Sequence, residues 1–164
     1  MEMHGEQQSI RVLIADDDEH VLDCYRDAFA DDEPTNHMKA LDALAAELFD
    51  SEGDIVDQPK FEVVSCCQGD DAISLAKEAA NDGSPFDVVI LDVRMPPGID
   101  GVEAGSQIRA MDAEVEIVFV TGFSDVPLEE LQRRVPPPIK LHYFNKPLSF
   151  TQLAHDVASM VKTH

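Results

Sequence analysis

Residues 86–97 read Phe-Asp-Val-Val-Ile-Leu-Asp-Val-Arg-Met-Pro-Pro, an apolar run of strand length that carries Asp92 at its end. A run that is apolar on both faces is typical of a buried strand in a parallel sheet. The prolines cannot continue a central strand, so the chain must leave the sheet there. The stretch therefore predicts that Asp92 lies at the carboxyl edge of a central strand, where open α/β sheets bind their ligands.

Predicted strands and helices alternate on both sides of this stretch. The other strands are predicted at 10–15, 61–66, 115–120 and 139–144, and the helices at 21–29, 70–83, 100–111, 128–134 and 149–161. Five such βα units indicate an α/β fold with a flavodoxin-like, doubly wound, five-stranded parallel sheet in the order 2-1-3-4-5.

Local signals assign roles to single residues. Asp18 and Asp70 are expected to cap the helices that follow them. Met111 is assigned to the apolar face of the third helix, and Cys24 and Cys66 are expected to be core thiols.

Length, charge and cysteine content narrow the class of protein. The 164 residues suit one domain, expected at 10–164 behind a flexible tail at 1–9. A formal charge of −21 disfavours direct binding to nucleic acid or to an anionic membrane. Three cysteines without disulfide or zinc spacing indicate reduced thiols in a cytoplasmic protein.

Residues 31–60 form an insert between the first helix and the second strand. Pro34 breaks the first helical pattern, and residues 41–49 show a second amphipathic one. We expect an extra helix that packs on the flank of this domain, while a dimer or partner surface is the alternative.

Polar residues follow four of the predicted strands. In the order 2-1-3-4-5 the first and third strands are neighbours, so Asp16, Asp17 and Asp92 share one crevice with Thr121 and Lys146. Carboxylates held this close repel each other unless a cation joins them, and hard oxygen ligands suit Mg²⁺ or Mn²⁺. A divalent ion beside a carboxylate, a hydroxyl and a lysine is suited to phosphoryl transfer.

Five motifs at these strand ends carry a family resemblance. The chain resembles the receiver domain of two-component response regulators in Leu13-Ile14-Ala15-Asp16-Asp17-Asp18, Leu91-Asp92-Val93-Arg94-Met95-Pro96, Asp100-Gly101, Val120-Thr121-Gly122 and Tyr143-Phe144-Asn145-Lys146-Pro147. The resemblance covers about residues 10–161. It implies a signalling domain that catalyses only its own phosphorylation and dephosphorylation, rather than an enzyme.

The resemblance implies a role for each acidic residue. Asp92 would accept a phosphoryl group from a sensor histidine kinase or a phosphotransfer protein. Asp17, Asp92 and the backbone carbonyl of Arg94 would bind Mg²⁺, or Mn²⁺ in its place, and Asp16 would act through water.

The resemblance also implies how the phosphoryl group is held and sensed. Thr121 and Lys146 would bind it, and Tyr143 would be the aromatic switch that turns inward as Thr121 moves. The Lys146–Pro147 peptide bond is expected to be cis.

The sequence departs from the common receiver pattern in two places. The loop at 95–101 has one residue more than usual, and roughly thirty extra residues precede the second strand. Both features resemble a subset of receivers with a Met-Pro-Pro-Gly loop and an added helix, often found at the front of a larger signalling protein. An output domain outside this chain and a homodimer therefore both stay open.

Two other functions fit part of the pattern. Asp16 and Asp18 also match the paired aspartates of haloacid-dehalogenase-like phosphohydrolases, as nucleophile and acid/base, but that reading leaves Asp92 without a role. A receiver fold that binds partners without being phosphorylated is the other alternative. Identifying which aspartate becomes an acylphosphate distinguishes the three.

Overall fold

The computed structural model describes residues 9–30, 60–95, 98–122, 126–146 and 149–162. These residues contain five parallel strands in the order β2-β1-β3-β4-β5, which confirms the predicted topology. The strands are β1 Ile10–Ala15, β2 Phe61–Cys66, β3 Val88–Asp92, β4 Glu116–Thr121 and β5 Leu141–Asn145. The α-helices are α1 Glu19–Phe29, α2 Gly69–Asn81, α3 Gly101–Met111, α4 Leu128–Arg134 and α5 Phe150–Lys162.

Helices cover both faces of the sheet, which explains why β3 and β4 are buried at every residue. On one face Leu13, Leu91 and Phe119 pack with α2, α3 and α4. On the other face Ile14 and Ile90 pack with α1 and α5. Neither face of the central strands can be polar, so their polar residues are confined to the strand ends. None of the helices in the described ranges is long and apolar enough to cross a membrane.

Several helix ends follow the sequence signals. Asp18 is the N-cap of α1, and its carboxylate accepts a hydrogen bond of 2.9 Å from the backbone N–H of His20. Asp100 caps α3 in the same way through Glu103. Gly83 follows α2 with a φ of 78°, a left-handed conformation that favours glycine after a helix.

The prediction that Asp70 caps the second helix is wrong. The N-cap of α2 is Gln68, whose backbone is extended at φ −137° and ψ 151°, and the helix begins at Gly69. Asp70 lies inside the first turn, where its negative charge still interacts favourably with the positive end of the helix.

Three apolar assignments differ from the structure. The fifth strand begins at Leu141, because residues Pro138–Lys140 form a 3₁₀ turn that leaves Ile139 exposed. Met111 is the last residue of α3 and is 41% exposed, so it lies only partly on the apolar face, where it lines a small cavity with Val89 and Ile108. Cys24 is exposed on the outer face of α1, whereas Cys66 is half-buried, and burial raises the pKa of its thiol to about 11.

Some predictions concern parts of the chain outside the described residues. These are the tail at 1–8, the added helix within 31–59, the prolines at 96–97 and the cis bond before Pro147. They remain predictions.

Arg109 fixes the ends of β4 and β5 that lie opposite the polar strand ends. Arg109 belongs to α3, and its side chain is buried. Its guanidinium donates hydrogen bonds to the carbonyl oxygens of Asp112 (3.3 Å), Ala113 (3.2 Å), Val115 and Lys140 (2.9 Å). Desolvation lowers the pKa of Arg109, and nearby acidic groups oppose the effect. The residue thus joins α3 to the chain just before β4 and β5, the strands that lead to Thr121 and Lys146.

We expect Arg109→Leu to lower the free energy of unfolding by about 3–5 kcal/mol, because it leaves buried carbonyl groups without their charged donor. Arg133→Leu is the matched control, since Arg133 is exposed and its 3.7 Å ion pair with Glu130 should be worth less than about 1 kcal/mol. Urea unfolding of both variants measures the difference. Equal stability of the two variants would contradict a structural role for Arg109.

Candidate functional site

Four strand ends place polar side chains at one edge of the sheet. Asp16 and Asp17 follow β1 directly, and Asp92 is the last residue of β3, the neighbouring strand. Thr121 ends β4, and its carbonyl accepts a hydrogen bond of 2.7 Å from the backbone N–H of Lys146, the residue after β5. The parallel register therefore brings together the residues that the sequence predicted to share a crevice.

The three carboxylates form one cluster. Each of Asp16, Asp17 and Asp92 offers a carboxylate oxygen, and these oxygens lie within 4.8 Å of one another. Asp16 is 1% exposed and Asp92 is 9% exposed, whereas Asp17 reaches solvent. The cluster is thus buried on one side and open to ligands on the other.

Lys146 supplies a positive charge to this cluster. Its Nζ lies 3.3 Å from Oδ2 of Asp92 and 3.5 Å from Oδ2 of Asp16. The other oxygens of these carboxylates accept backbone hydrogen bonds, Asp92 Oδ1 from Arg94 N (3.2 Å) and Asp16 Oδ1 from Asp18 N (2.9 Å).

The donor set fits a hard divalent cation. Three carboxylates and one ammonium leave an excess of two negative charges when all are ionised. Asp16 Oδ2 is buried, and its contact among the described residues is the 3.5 Å ion pair with Lys146 Nζ, which Asp92 shares. One ammonium divided between two buried carboxylates compensates them only in part, and a cation with oxygen ligands would supply the remaining positive charge.

The pKa values reflect the same balance of burial and charge. Desolvation raises the pKa of Asp16 from 3.8 to about 6, and the nearby charge of Asp92 adds to the effect. Desolvation also raises the pKa of Asp92, although Lys146 opposes it. Burial alone would lower the pKa of Lys146, but the two carboxylates outweigh burial and raise it. Lys146 is therefore charged at neutral pH, and its charge favours the ionised form of Asp92.

In the absence of metal, Asp16→Asn is expected to stabilise the fold above pH 6. Because the pKa of Asp16 is higher in the folded chain than in the unfolded one, the wild type loses stability as the pH rises from about 4 through about 6. The difference between 3.8 and about 6 corresponds to about 3 kcal/mol. Urea unfolding in the presence of a chelator, repeated across this pH range, measures the free energy of unfolding at each pH. That free energy should change less with pH in Asp16→Asn than in the wild type.

Asp18→Asn is the matched control for this pH profile. It removes one carboxylate next to the cluster while keeping a side chain that caps α1 equally well. If the free energy of unfolding falls with rising pH as steeply in Asp16→Asn as in Asp18→Asn, then burial of Asp16 does not destabilise the fold.

The remaining residues singled out in the sequence are placed as follows. Asp18 lies outside the cluster, exposed and capping α1, so the acid/base role required by the phosphohydrolase alternative has no support. Tyr143 lies half-buried on β5, paired with Phe119 of β4. Arg94 follows β3 closely, and its N–H bonds to Asp92.

The structure also gives Gly101 a role that its motif did not explain. A Cβ atom on Gly101 would lie 2.0 Å from the backbone oxygen of Asp92 and would collide with it. The Gly101 N–H donates to the carbonyl of Val93 at 2.8 Å. Glycine here lets α3 start directly against the end of β3, next to the cluster.

The doubly wound sheet thus carries an acidic pocket at the carboxyl edge of its strands. The family model described as the response regulator receiver domain matches residues 48–157. This is more than half of the chain, and the chain belongs to that family. The acidic pocket formed by Asp16, Asp17 and Asp92 fits the phosphoryl acceptor site of such domains.

One curated relative and two solved structures illustrate the similarity. The chain is 28% identical over 102 residues to the sensor kinase CckA of Brucella abortus (strain 2308), a match that covers 62% of this chain and 10% of that protein. The chain therefore spans only a small part of this relative.

Both solved structures show the same fold. A CheY-like receiver domain protein from Methanospirillum hungatei JF-1 has a TM-score of 0.64 at 15% identity, covering 95% of this chain and 96% of that one. The response regulator TrrA from Thermotoga maritima has a TM-score of 0.55 at 21% identity, covering 92% and 98%.

Proposed function

We propose that this chain is a phosphorylation-dependent signalling receiver and that Asp92 is its phosphoacceptor. The contact of Lys146 Nζ with Asp92 Oδ2 at 3.3 Å, inside the carboxylate cluster, is the observation that carries the proposal. Among the clustered aspartates, Asp92 lies at the end of the fully buried central strand and shares the ammonium with Asp16.

The chemistry is a direct transfer to a carboxylate. An oxygen of Asp92 forms a bond to phosphorus while the bond from phosphorus to the donor breaks, and the donor departs with the bonding electrons. Lys146 neutralises charge on the phosphoryl oxygens, and the hydroxyl of Thr121 donates to one of them. Lys146 also favours the ionised form of Asp92, which is the nucleophilic form.

Mg²⁺ is the metal that we assign to the pocket, with Mn²⁺ as a substitute. Asp17, Asp92 and the backbone carbonyl of Arg94 would hold it, and Asp16 would contact it through water. When bound, the ion supplies positive charge opposite the phosphoryl oxygens. Receiver domains bind Mg²⁺ at an acidic pocket, and the similar TrrA structure is a complex with Mg²⁺ and BeF.

The switch would connect the phosphoryl group to the β4–β5 surface. Thr121 is buried at the end of β4, and Tyr143 packs partly against the apolar cluster on the α2–α4 side of the sheet. We infer that movement of Thr121 toward the phosphoryl group opens space for Tyr143 to turn inward. A change on β5 would then report the state of Asp92 to a partner.

The partners follow from the family. Receiver domains of two-component systems interact with histidine kinases or phosphotransfer proteins, and we propose one of these as the phosphodonor. An output domain or protein outside this chain, and a homodimer, are compatible with the small share of its relative that the chain spans. The charge of −21 disfavours nucleic acid and anionic membranes as direct partners. Its three cysteines are free, which supports a cytoplasmic location.

Phosphorylation by a small donor tests the proposal. The chain is incubated with acetyl phosphate and Mg²⁺, and its intact mass and the modified peptide are then measured. We expect one phosphoryl group per chain, attached to the peptide that contains Asp92 and lost when the metal is chelated beforehand. A label on Asp16 would revive the phosphohydrolase alternative, and no label would favour a binding module that is not phosphorylated.

A further inference from the structure

The end of the connection between β3 and α3 contacts the connection between β2 and α2. The N–H of Gly98 donates a hydrogen bond of 3.1 Å to the side-chain oxygen Oε1 of Gln68, 30 positions earlier in the chain. Gln68 precedes α2, so this bond joins the β2–α2 connection to the β3–α3 connection. The latter carries Arg94 and has one residue more than the usual receiver loop.

Packing at the start of α2 supports the same junction. A Cβ atom on Gly69 would lie 2.9 Å from Cγ1 and 3.1 Å from the backbone oxygen of Ile99. A Cβ atom on Gly98 would lie 2.6 Å from Oε1 of Gln68. Both glycines are therefore in close contact with the opposite connection. A side chain at residue 69 would press on Ile99, and one at residue 98 would displace the side-chain oxygen of Gln68.

The choice of residue at the N-cap of α2 is informative. Helix N-caps are most often Ser, Thr, Asp or Asn, whose short side chains accept from the first turn of their own helix. Gln68 makes no such cap, and its longer side chain extends to Gly98 instead. The side chain of Gln68 thus forms a hydrogen bond with the neighbouring connection and does not cap its own helix.

The ends of the loop are already fixed near Asp92. Arg94 N–H bonds to Asp92 Oδ1 at 3.2 Å, and Gly101 N–H bonds to the carbonyl of Val93 at 2.8 Å. We propose that Gln68 is a positioning residue that fixes Gly98 in this connection and thereby favours the backbone geometry in which the carbonyl of Arg94 can serve as a metal ligand. The inference rests on the proposed function, because that function assigns the carbonyl as a ligand.

Binding of Mg²⁺ alone tests the inference, without any phosphodonor. Gln68→Ala is expected to weaken Mg²⁺ binding by about three- to tenfold in calorimetric titration, the equivalent of one net hydrogen bond. Amide hydrogen exchange at residues 98–101 should become faster in the metal-free variant. Gln68→Glu keeps an acceptor oxygen and should restore slow exchange. Gln107→Ala is the control, since Gln107 bonds only to Glu103 on its own exposed helix face among the described contacts.

A second substitution addresses the same contact from the other loop. Gly98→Ala displaces Oε1 of Gln68, so it should weaken Mg²⁺ binding in the wild type and have no further effect in Gln68→Ala. Unchanged Mg²⁺ affinity in Gln68→Ala, with or without faster exchange, would overturn the inference. If wild type is still labelled on Asp92, the proposed function survives that result. A wild type that binds Mg²⁺ but is never labelled would instead overturn the proposed function alone.

Discussion

Asp92→Asn is expected to reduce phosphoryl incorporation from acetyl phosphate to the background level of a chain without donor. Asparagine has nearly the same shape but cannot form the acylphosphate, because its neutral amide lacks the anionic oxygen that attacks phosphorus. The substitution also removes the partner of Lys146 at 3.3 Å and one of three clustered carboxylates. Intact mass after a fixed incubation, with the thermal unfolding midpoint measured on the same sample, checks the prediction.

Asp18→Asn is the control for this experiment as well. It changes an aspartate of the same segment that caps α1 and lies outside the cluster, so labelling should continue at the wild-type rate. Asp92→Asn should remain folded, since an amide at this buried position no longer has to be desolvated as a charge. Labelling of Asp92→Asn at the wild-type level would remove Asp92 from its proposed role.

The sequence was sufficient to predict the architecture and the neighbours in the site. Short apolar runs such as 88–91, bounded by turn residues, favour buried strands, and five predicted strands alternating with amphipathic segments leave few topologies. Once the order 2-1-3-4-5 is adopted, the polar residues that end β1, β3, β4 and β5 must meet at one edge. The clustering of Asp16 with Asp92 and Lys146 is therefore a consequence of topology.

The local sequence pattern did not predict the element boundaries and side-chain contacts that depend on tertiary structure. Ile139 looks like a strand residue, but the preceding prolines impose a 3₁₀ turn, and pairing starts only at Leu141. Asp70 has the better cap chemistry, yet α2 begins at Gly69, which lies in close contact with Ile99. No pattern in the sequence indicates that Arg109 is buried among backbone carbonyls or that Gln68 bonds to Gly98, since both contacts join segments distant in the chain.

The second large effect concerns the metal. Asp17→Asn is expected to weaken Mg²⁺ binding by about ten- to a hundredfold, because it removes one of the three negative charges that attract a divalent ion into the pocket. Asp17 is the exposed member of the cluster, so replacing its carboxylate leaves the packed core unchanged. Loss of metal affinity should therefore occur without loss of the folded state, and phosphorylation should fall with it.

The charge of −21 makes the choice of control decisive for this measurement. A strongly acidic surface gathers Mg²⁺ without a specific site, so any Asp→Asn change slightly weakens apparent binding. Asp18→Asn removes the same charge one position away and keeps the cap of α1. Calorimetric titration at about 0.15 M salt, where distant charges are screened, isolates the local contribution. If Asp17→Asn and Asp18→Asn lose Mg²⁺ affinity equally, Asp17 acts only through the overall negative charge of the protein surface. The ligand set proposed for the pocket is then wrong.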